Sequence, residues 1–181
     1  MSEYAAFLRG VNVGKARRVG SAELRECFEG IGLTGVATFR TSGNVAFDGD
    51  GASADDLRAR IEEALESMLG YDVSVFLRTA EEIRAIAAHE PFSAEQLERS
   101  KGKLQVMMLT GKPAPQARES VLGLATDEDA LAFGDRELYW LPSGGMSDSD
   151  LDLKAISQVL GTNTIRTKGT VEQMAAKFFS R

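Results

Sequence analysis

Two periods of hydrophobic spacing alternate along this chain. Tyr4 to Arg9 is an apolar run closed by Gly10, the pattern of a buried strand. Leu24, Cys27, Phe28 and Ile31 then recur at i, i+3, i+4 and i+7, one face of a helix. Ser21 is its expected N-cap, Glu23 sits in its first turn, and Gly32 and Gly35 bracket its end. Val36 to Arg40 and Asn44 to Asp48 read as two short strands around Ser42-Gly43, a hairpin. After Gly49-Asp50-Gly51, Ser53 and Asp56 resemble a capping box. Leu57, Ile61, Leu65 and Met68 mark the helix that follows. Gly70 stops it, and Val73 to Arg78 alternates as a strand.

The order strand, helix, strand, strand, helix, strand is the ferredoxin-like βαββαβ arrangement. The same order returns later. Leu104 to Leu109 is a buried strand, Gln116 to Leu124 a helix, and Ala130 to Phe133 and Glu137 to Leu141 two strands around Gly134-Asp135-Arg136. Asp150 to Leu160 is a helix ended by Gly161, and Thr164 to Thr167 a short strand. Thr170 with Gln173 is a capping box for a last helix with Val171, Met174, Ala175, Phe178 and Phe179 on its face. Between the two runs, Thr79 with Glu82 and Ser93 with Gln96 cap a helical connector interrupted by Pro91. The expected fold is α+β. It has two ferredoxin-like units with mainly antiparallel sheets, a duplication in order and spacing rather than in residues. The expected divisions are residues 1–79, a connector over 80–102, and 103–181 with the C-terminal helix.

This topology carries a functional consequence. In a βαββαβ sheet the top of the first strand lies beside the turn between the second and third. Arg9 and the loop Gly10 to Gly20 should therefore meet Ser42-Gly43-Asn44. In the second unit the equivalent end holds Thr110-Gly111-Lys112 and Gly134-Asp135-Arg136.

Charge sharpens that expectation. The net charge of -6 argues against a dedicated, sequence-independent DNA binder. Yet residues 9–18 carry Arg9, Lys15, Arg17 and Arg18 with no acid, and residues 154–168 carry Lys154, Arg166 and Lys168 with none. The loop is not a P-loop. Gly10 and Gly14 are one residue too close, and Ala16 stands where the magnesium-binding hydroxyl belongs. There is no G-x-G-x-x-G either, so no nucleotide cofactor motif is present. What remains is a pair of glycines that let backbone N–H groups approach an anion, with cations around them. The plain alternative is a surface loop whose basic residues pair with helix acids.

Other chemistries find less support. Gly144 to Asp150 leads into a helix, but Asp148, Asp150 and Asp152 would repel an anion, and no bidentate glutamate completes a calcium loop. N-capping by Ser147, Asp148 or Ser149 is the expected role. Arg166-Thr167-Lys168-Gly169-Thr170 is a basic turn whose Arg166, Lys168 and Thr170 could receive a phosphate, or simply cap the last helix. One histidine and one cysteine exclude a structural zinc site and an internal disulfide. No nucleophile elbow is present, so no catalytic residue is assigned. Trp140 reads as a sheet residue, with base stacking unforced. No membrane-length apolar run and no secretory signal occur, which places the chain in the cytoplasm.

The segments F-L-R-G-V-N-V-G-K and T-S-G-N-V-A-F resemble an uncharacterised bacterial family called domain of unknown function 1697. Its hallmark is an L-R-G-I-N-V-G segment followed by a Q-S-G-N-V hairpin. T-I-R-T-K-G-T-V is similar to its closing block, T-x-R-N-W-N-T-V. Thr41 stands where glutamine is usual, and Thr167-Lys168-Gly169 replace Asn-Trp-Asn. The resemblance implies duplicated ferredoxin-like units and transfers no activity. The leading expectation is a cytoplasmic binding protein for a phosphorylated ligand, a nucleic acid backbone or a nucleotide. Its contacts would be Arg9, Asn12, Lys15, Arg17, Arg18, Ser42, Gly43 and Asn44, with Arg166, Lys168 and Thr170 completing that surface or forming a second. The alternatives are an enzyme for a small anionic substrate in the same cleft and a protein-interaction module.

Overall fold

The computed structural model describes residues 2–15 and 18–181. The chain divides into two compact units, Met1–Arg84 with Met174–Arg181, and Ala85–Gln173.

The first unit contains β1 (Glu3–Arg9), α1 (Ser21–Gly30), β2 (Thr34–Phe39), β3 (Asn44–Asp48), α2 (Ala54–Leu69) and β4 (Ser74–Thr79). Its sheet is antiparallel throughout, in the order β2-β3-β1-β4. One face of that sheet, with Tyr4, Ala6, Leu8, Val45, Phe47, Val75 and Leu77, packs against Leu24 and Phe28 of α1 and Leu57, Ile61 and Leu65 of α2. Phe47 is the centre of this layer, stacked on Tyr4 at 5.6 Å and edge-on to Phe28 at 5.5 Å. Residues paired across an antiparallel ladder share a face. The opposite face therefore carries one row of Phe39, Asn44, Phe7 and Phe76 and a second of Ala37, Ala46, Ala5 and Arg78. Phe7, Phe76, Asn44 and Arg78 are all buried, so this face is not an open platform for bases.

Two helices follow, α3 (Ala80–Ala88) and α4 (Ala94–Arg99). Both expected capping boxes form. Thr79 N–H donates to Glu82 at 2.8 Å while Glu82 N–H donates to the Thr79 hydroxyl at 3.2 Å, and Ser93 and Gln96 repeat the exchange. The second unit contains β5 (Gln105–Leu109), α5 (Pro115–Leu122), β6 (Ala130–Phe133), β7 (Glu137–Leu141), α6 (Leu153–Leu160) and β8 (Asn163–Thr167). It leads into α7 (Lys168–Phe178). Its strand order, β6-β7-β5-β8, repeats the first. The layout fits the βαββαβ arrangement twice over, with seven α-helices among the described residues. No helix among them is long and apolar enough to cross a membrane.

The two units share order and spacing, and at one point an Arg-Thr pair as well. Leu77-Arg78-Thr79 and Ile165-Arg166-Thr167 close the fourth strand of each unit. Arg78 lies opposite Ala5 and Arg166 opposite Val106, equivalent register positions. Each guanidinium donates to the carbonyl of the residue before it, at 2.9 Å in both cases.

Three helix starts differ from the sequence reading. The N-cap of α1 is Gly20, not Ser21. Glycine has no side chain to offer, so the cap consists of the Gly20 N–H donating to Glu23 at 2.9 Å. Gly20 has an ordinary φ of -75° and room for a side chain. Gly20→Ser should therefore raise stability by about 0.5 kcal/mol, read as a higher midpoint in urea. Helix α6 begins at Leu153 and is capped by Asp152, which accepts from Ala155 N–H at 2.9 Å. Ser149, an expected cap, lies three residues upstream of that position; its hydroxyl accepts Leu151 N–H at 3.0 Å and donates to the buried Asp129 at 2.7 Å. Helix α7 begins at Lys168, with the Thr167 hydroxyl accepting from Thr170 N–H at 3.2 Å, so Thr170 is inside the helix rather than its cap.

Candidate functional site

The end of β1 and the β2–β3 turn meet. Leu8 N–H donates to the Gly43 carbonyl at 2.8 Å, and Phe7 pairs with Asn44. Gly43 has a φ of 77°, and a Cβ there would lie 2.4 Å from Val11 Cγ2 and 3.0 Å from Leu8 Cβ. Only a glycine lets the turn close this tightly onto the loop.

The loop itself changes hand residue by residue. Gly10, Asn12 and Gly14 have φ of 84°, 55° and 65°, while Val11 and Val13 between them do not enter the positive region. Alternating handedness of this kind turns successive N–H groups toward one concave side, the backbone basis of anion nests. Among the described residues, no hydrogen bond uses the N–H groups of Gly10 to Lys15.

The two asparagines hold this geometry. Asn12 donates through Nδ2 to the Thr41 carbonyl and accepts Val19 N–H through Oδ1 at 2.8 Å, tying loop to turn. Asn44 donates through Nδ2 to the Phe39 carbonyl and to the Ser42 hydroxyl, both at 3.0 Å. Between those two carbonyls lies Arg40, a non-glycine residue with a φ of 58°. Such a conformation costs on the order of 1 kcal/mol and persists because its surroundings hold it.

Arg40 was read only as the last residue of a strand; its position is what the sequence missed. Its guanidinium lies over the Phe39 ring, 5.4 Å from the centroid, and Lys177 lies over the same ring at 5.8 Å. Lys177 is also 5.3 Å from the Phe178 centroid, and Phe178 meets Phe39 edge-to-face at 6.1 Å. Arg40 and Lys177 are exposed and both rings half-buried.

The remaining predicted residues fall in several places. Arg9, Lys15 and Arg18 are exposed, as is Ser42. Arg18 borders a groove of about 830 Å³ between α1 and α2, on the side of Glu23, Glu26 and Cys27. Burial pushes the Cys27 thiol above its ordinary value, so it stays protonated at neutral pH. Arg17 lies outside the described residues. Arg166, Lys168 and Thr170 are buried, with exposures of 8%, 7% and 6%. Arg166 donates to the Thr164 hydroxyl at 2.8 Å, and burial pulls its guanidinium down to about 10. Lys168 donates to the Ala87 carbonyl at 2.9 Å and pairs with Glu172 at 2.7 Å. Trp140 is buried too, its indole N–H donating to Asp129 at 2.8 Å.

The second unit provides an internal comparison. Its equivalent hydrogen bond, Leu109 N–H to the Arg136 carbonyl, is 2.9 Å long. There the cation is neutralised, since Lys112 pairs with Asp135 at 3.2 Å, and Arg118 donates to the Asp135 and Pro113 carbonyls. The first unit places no acid in its turn, and among the described residues neither Lys15 nor Arg18 forms an ion pair.

No curated protein matches this chain. Among solved structures, a conserved bacterial protein from Streptococcus pneumoniae shares 23% identity at a TM-score of 0.73, covering 98% of this chain and 99% of that one. That likeness shows the fold. The model of a family described as protein of unknown function (DUF1697) matches residues 1–139, and the chain belongs to that family.

Proposed function

We propose that this is a cytoplasmic binding protein whose Gly10–Gly20 loop and Ser42 turn hold a phosphate-bearing ligand, a nucleic acid backbone or a nucleotide. The observation that carries the reading is the contrast between the two units. At matching ends of matching sheets, the second closes its lysine onto an aspartate, while the first has exposed Lys15 and a loop of alternating hand whose N–H groups find no acceptor among the described residues. Phosphate oxygens suit such a set, because several backbone donors and diffuse positive charge act together on one anion.

In this reading Arg9, Lys15, Arg17 and Arg18 supply charge, the loop N–H groups and the Ser42 hydroxyl contact the ligand, and Gly43 permits the close approach. Asn12 and Asn44 act by positioning, since their amides bind the backbone on either side of Arg40. Arg166, Lys168 and Thr170 take no part, being engaged inside their own unit.

Calorimetric titration with inorganic pyrophosphate at low salt tests the proposal. Saturable binding is expected, weakening as salt rises and weakening about tenfold in Lys15→Ala/Arg18→Ala, since a charge-assisted contact is worth roughly 1.5 kcal/mol. Absence of binding at millimolar pyrophosphate, or equal binding by the variant, would overturn it.

A further inference from the structure

Each four-stranded sheet ends in two edge strands, and three of these four edges are guarded. Along β4 the outward groups are taken by side chains. Val75 N–H donates to Glu62 at 3.0 Å, the Leu77 carbonyl accepts from Arg78 at 2.9 Å, and Thr79 N–H donates to Glu82 at 2.8 Å. On β8 the Ile165 carbonyl accepts from Arg166 in the same way. Strand β2 breaks its register between Thr34 and Ala37, an irregularity of the kind that turns an edge away from other strands. Strand β6 has none of these devices. We propose that β6 is an assembly edge, which adds antiparallel to the β6 of a second copy of this chain and joins the two copies' sheets into one.

The hairpin bonds show which groups of β6 point outward. Gly134 N–H donates to the Glu137 carbonyl at 2.8 Å, across the turn that continues the pairing of Phe133 with Leu138. Bonded and non-bonded pairs alternate along an antiparallel ladder. Ala132 is therefore bonded to Tyr139 and Ala130 to Leu141, while Leu131 and Phe133 turn both N–H and C=O away from β7. Among the described residues, none of those outward groups has a hydrogen-bond partner. Ala130-Leu131-Ala132-Phe133 holds no charge and no proline, its register with β7 is unbroken, and its residues are half-buried. A bare apolar edge of this kind is a template for another strand.

The edge is complementary to itself. With the Ala132 residues of two copies on a two-fold axis, Leu131 of each copy faces Phe133 of the other. Those pairs exchange both backbone bonds, so every outward group is used. Ala132 meets Ala132 at a non-hydrogen-bonded position, where the strands come closest and small side chains fit. Charge favours the same direction. Asp127, Glu128 and Asp129 precede the strand, whereas Lys112, Arg118 and Arg136 lie with Asp135 and Glu137 at the end that follows it. Antiparallel addition sets the acidic end of one copy against the basic end of the other. The strand has only 4 residues, so the association is weak and reversible.

Sedimentation over a concentration series, with amide hydrogen exchange on the same samples, tests this for the intact chain and for Ala132→Lys and Ala132→Glu. The intact chain should pass from monomer to dimer with a Kd on the order of 100 μM. The Leu131 and Phe133 amides should slow in exchange as the dimer forms. Each variant alone should associate at least about tenfold more weakly, because like charges meet on the axis. Mixed in equal amounts, the two variants should recover the dimer, since lysine then faces glutamate; that recovery also shows that both are folded. A monomer at every concentration up to about 1 mM, a dimer that leaves Leu131 and Phe133 exchanging as before, or undiminished association in both variants overturns the inference. A strict monomer whose two amides slow only when an extended peptide is added assigns the edge to a foreign strand and equally overturns the second copy.

Discussion

Gly43→Ala should lower the stability of the first unit by about 3 kcal/mol. Two costs add. An alanine at a φ of 77° pays on the order of 1 kcal/mol for the left-handed backbone, and its Cβ falls 2.4 Å from Val11 Cγ2, an overlap that costs a further ~1–3 kcal/mol to relieve. The turn cannot back away without breaking the hydrogen bond from Leu8 to the Gly43 carbonyl. Urea denaturation reads the loss. Val11→Ala, introduced together with Gly43→Ala, should recover part of it, because the clashing methyl is then gone. Additive losses in the double variant would show that the contact between loop and turn is not the cause.

Asp129→Ala should destabilise the second unit by about 3 kcal/mol. Asp129 is only 2% exposed, and its carboxylate accepts from Trp140 Nε1 at 2.8 Å, Ser149 Oγ at 2.7 Å and Thr126 Oγ1 at 2.9 Å. Removing it leaves the buried indole N–H without an acceptor, at a cost of about 1–3 kcal/mol, and loses two part-buried hydroxyl bonds worth about 0.5–1 kcal/mol each. Asp129→Asn keeps one acceptor oxygen and should lose about half as much. Trp140 is the only tryptophan, so its emission reports the change directly, shifting to the red in Asp129→Ala as water reaches the indole. An unchanged spectrum and midpoint would contradict the role given to this carboxylate.

The architecture was legible because it rests on local signals. Period-2 and period-3.6 runs, glycine stops and capping pairs mark the elements, and a βαββαβ order leaves few ways to arrange four antiparallel strands. The meeting of Leu8 with Gly43 follows from that order alone. The capping residues were legible only where the partner is three residues away, as in Thr79 with Glu82. The cap of α6 was misplaced because Ser149 and Asp152 offer the same capping chemistry three residues apart; in the fold Ser149 accepts Leu151 N–H and donates to Asp129, twenty positions earlier, while Asp152 caps the helix. Asp127-Glu128-Asp129 is a run of acids in which no local pattern singles out the last, whose carboxylate accepts from Trp140, Ser149 and Thr126.

The same limit governs the site. Arg166 is a charge in the last strand and Lys168 one at the start of the helix that follows, and sequence spacing does not say that both are buried. Asn12 and Asn44 stand out as polar residues among glycines, yet their amides face the backbone around Arg40. Arg40 looked like the end of a strand because a left-handed arginine is uncommon and depends on clamps from both sides. Lys177 joins it from the far end of the chain, on a helix whose apolar face had drawn the attention. One sequence signal was available and unused: the repeated Leu-Arg-Thr and Ile-Arg-Thr close the fourth strand of each unit at the same register. The shared strand order sets Lys112 with Asp135 against the acid-free turn of the first unit.

The central claim is that backbone N–H groups of the Gly10–Lys15 loop receive an anion. A titration of the nitrogen-labelled protein with inorganic pyrophosphate, followed amide by amide by nuclear magnetic resonance, tests it most directly. The account predicts saturable shifts at Gly10, Val11, Asn12, Val13 and Gly14, smaller ones at Ser42 and Arg40, and none at Gly111 or Lys112 at the matching end of the second unit. Shifts confined to other parts of the chain, or equal shifts at both ends, would contradict it.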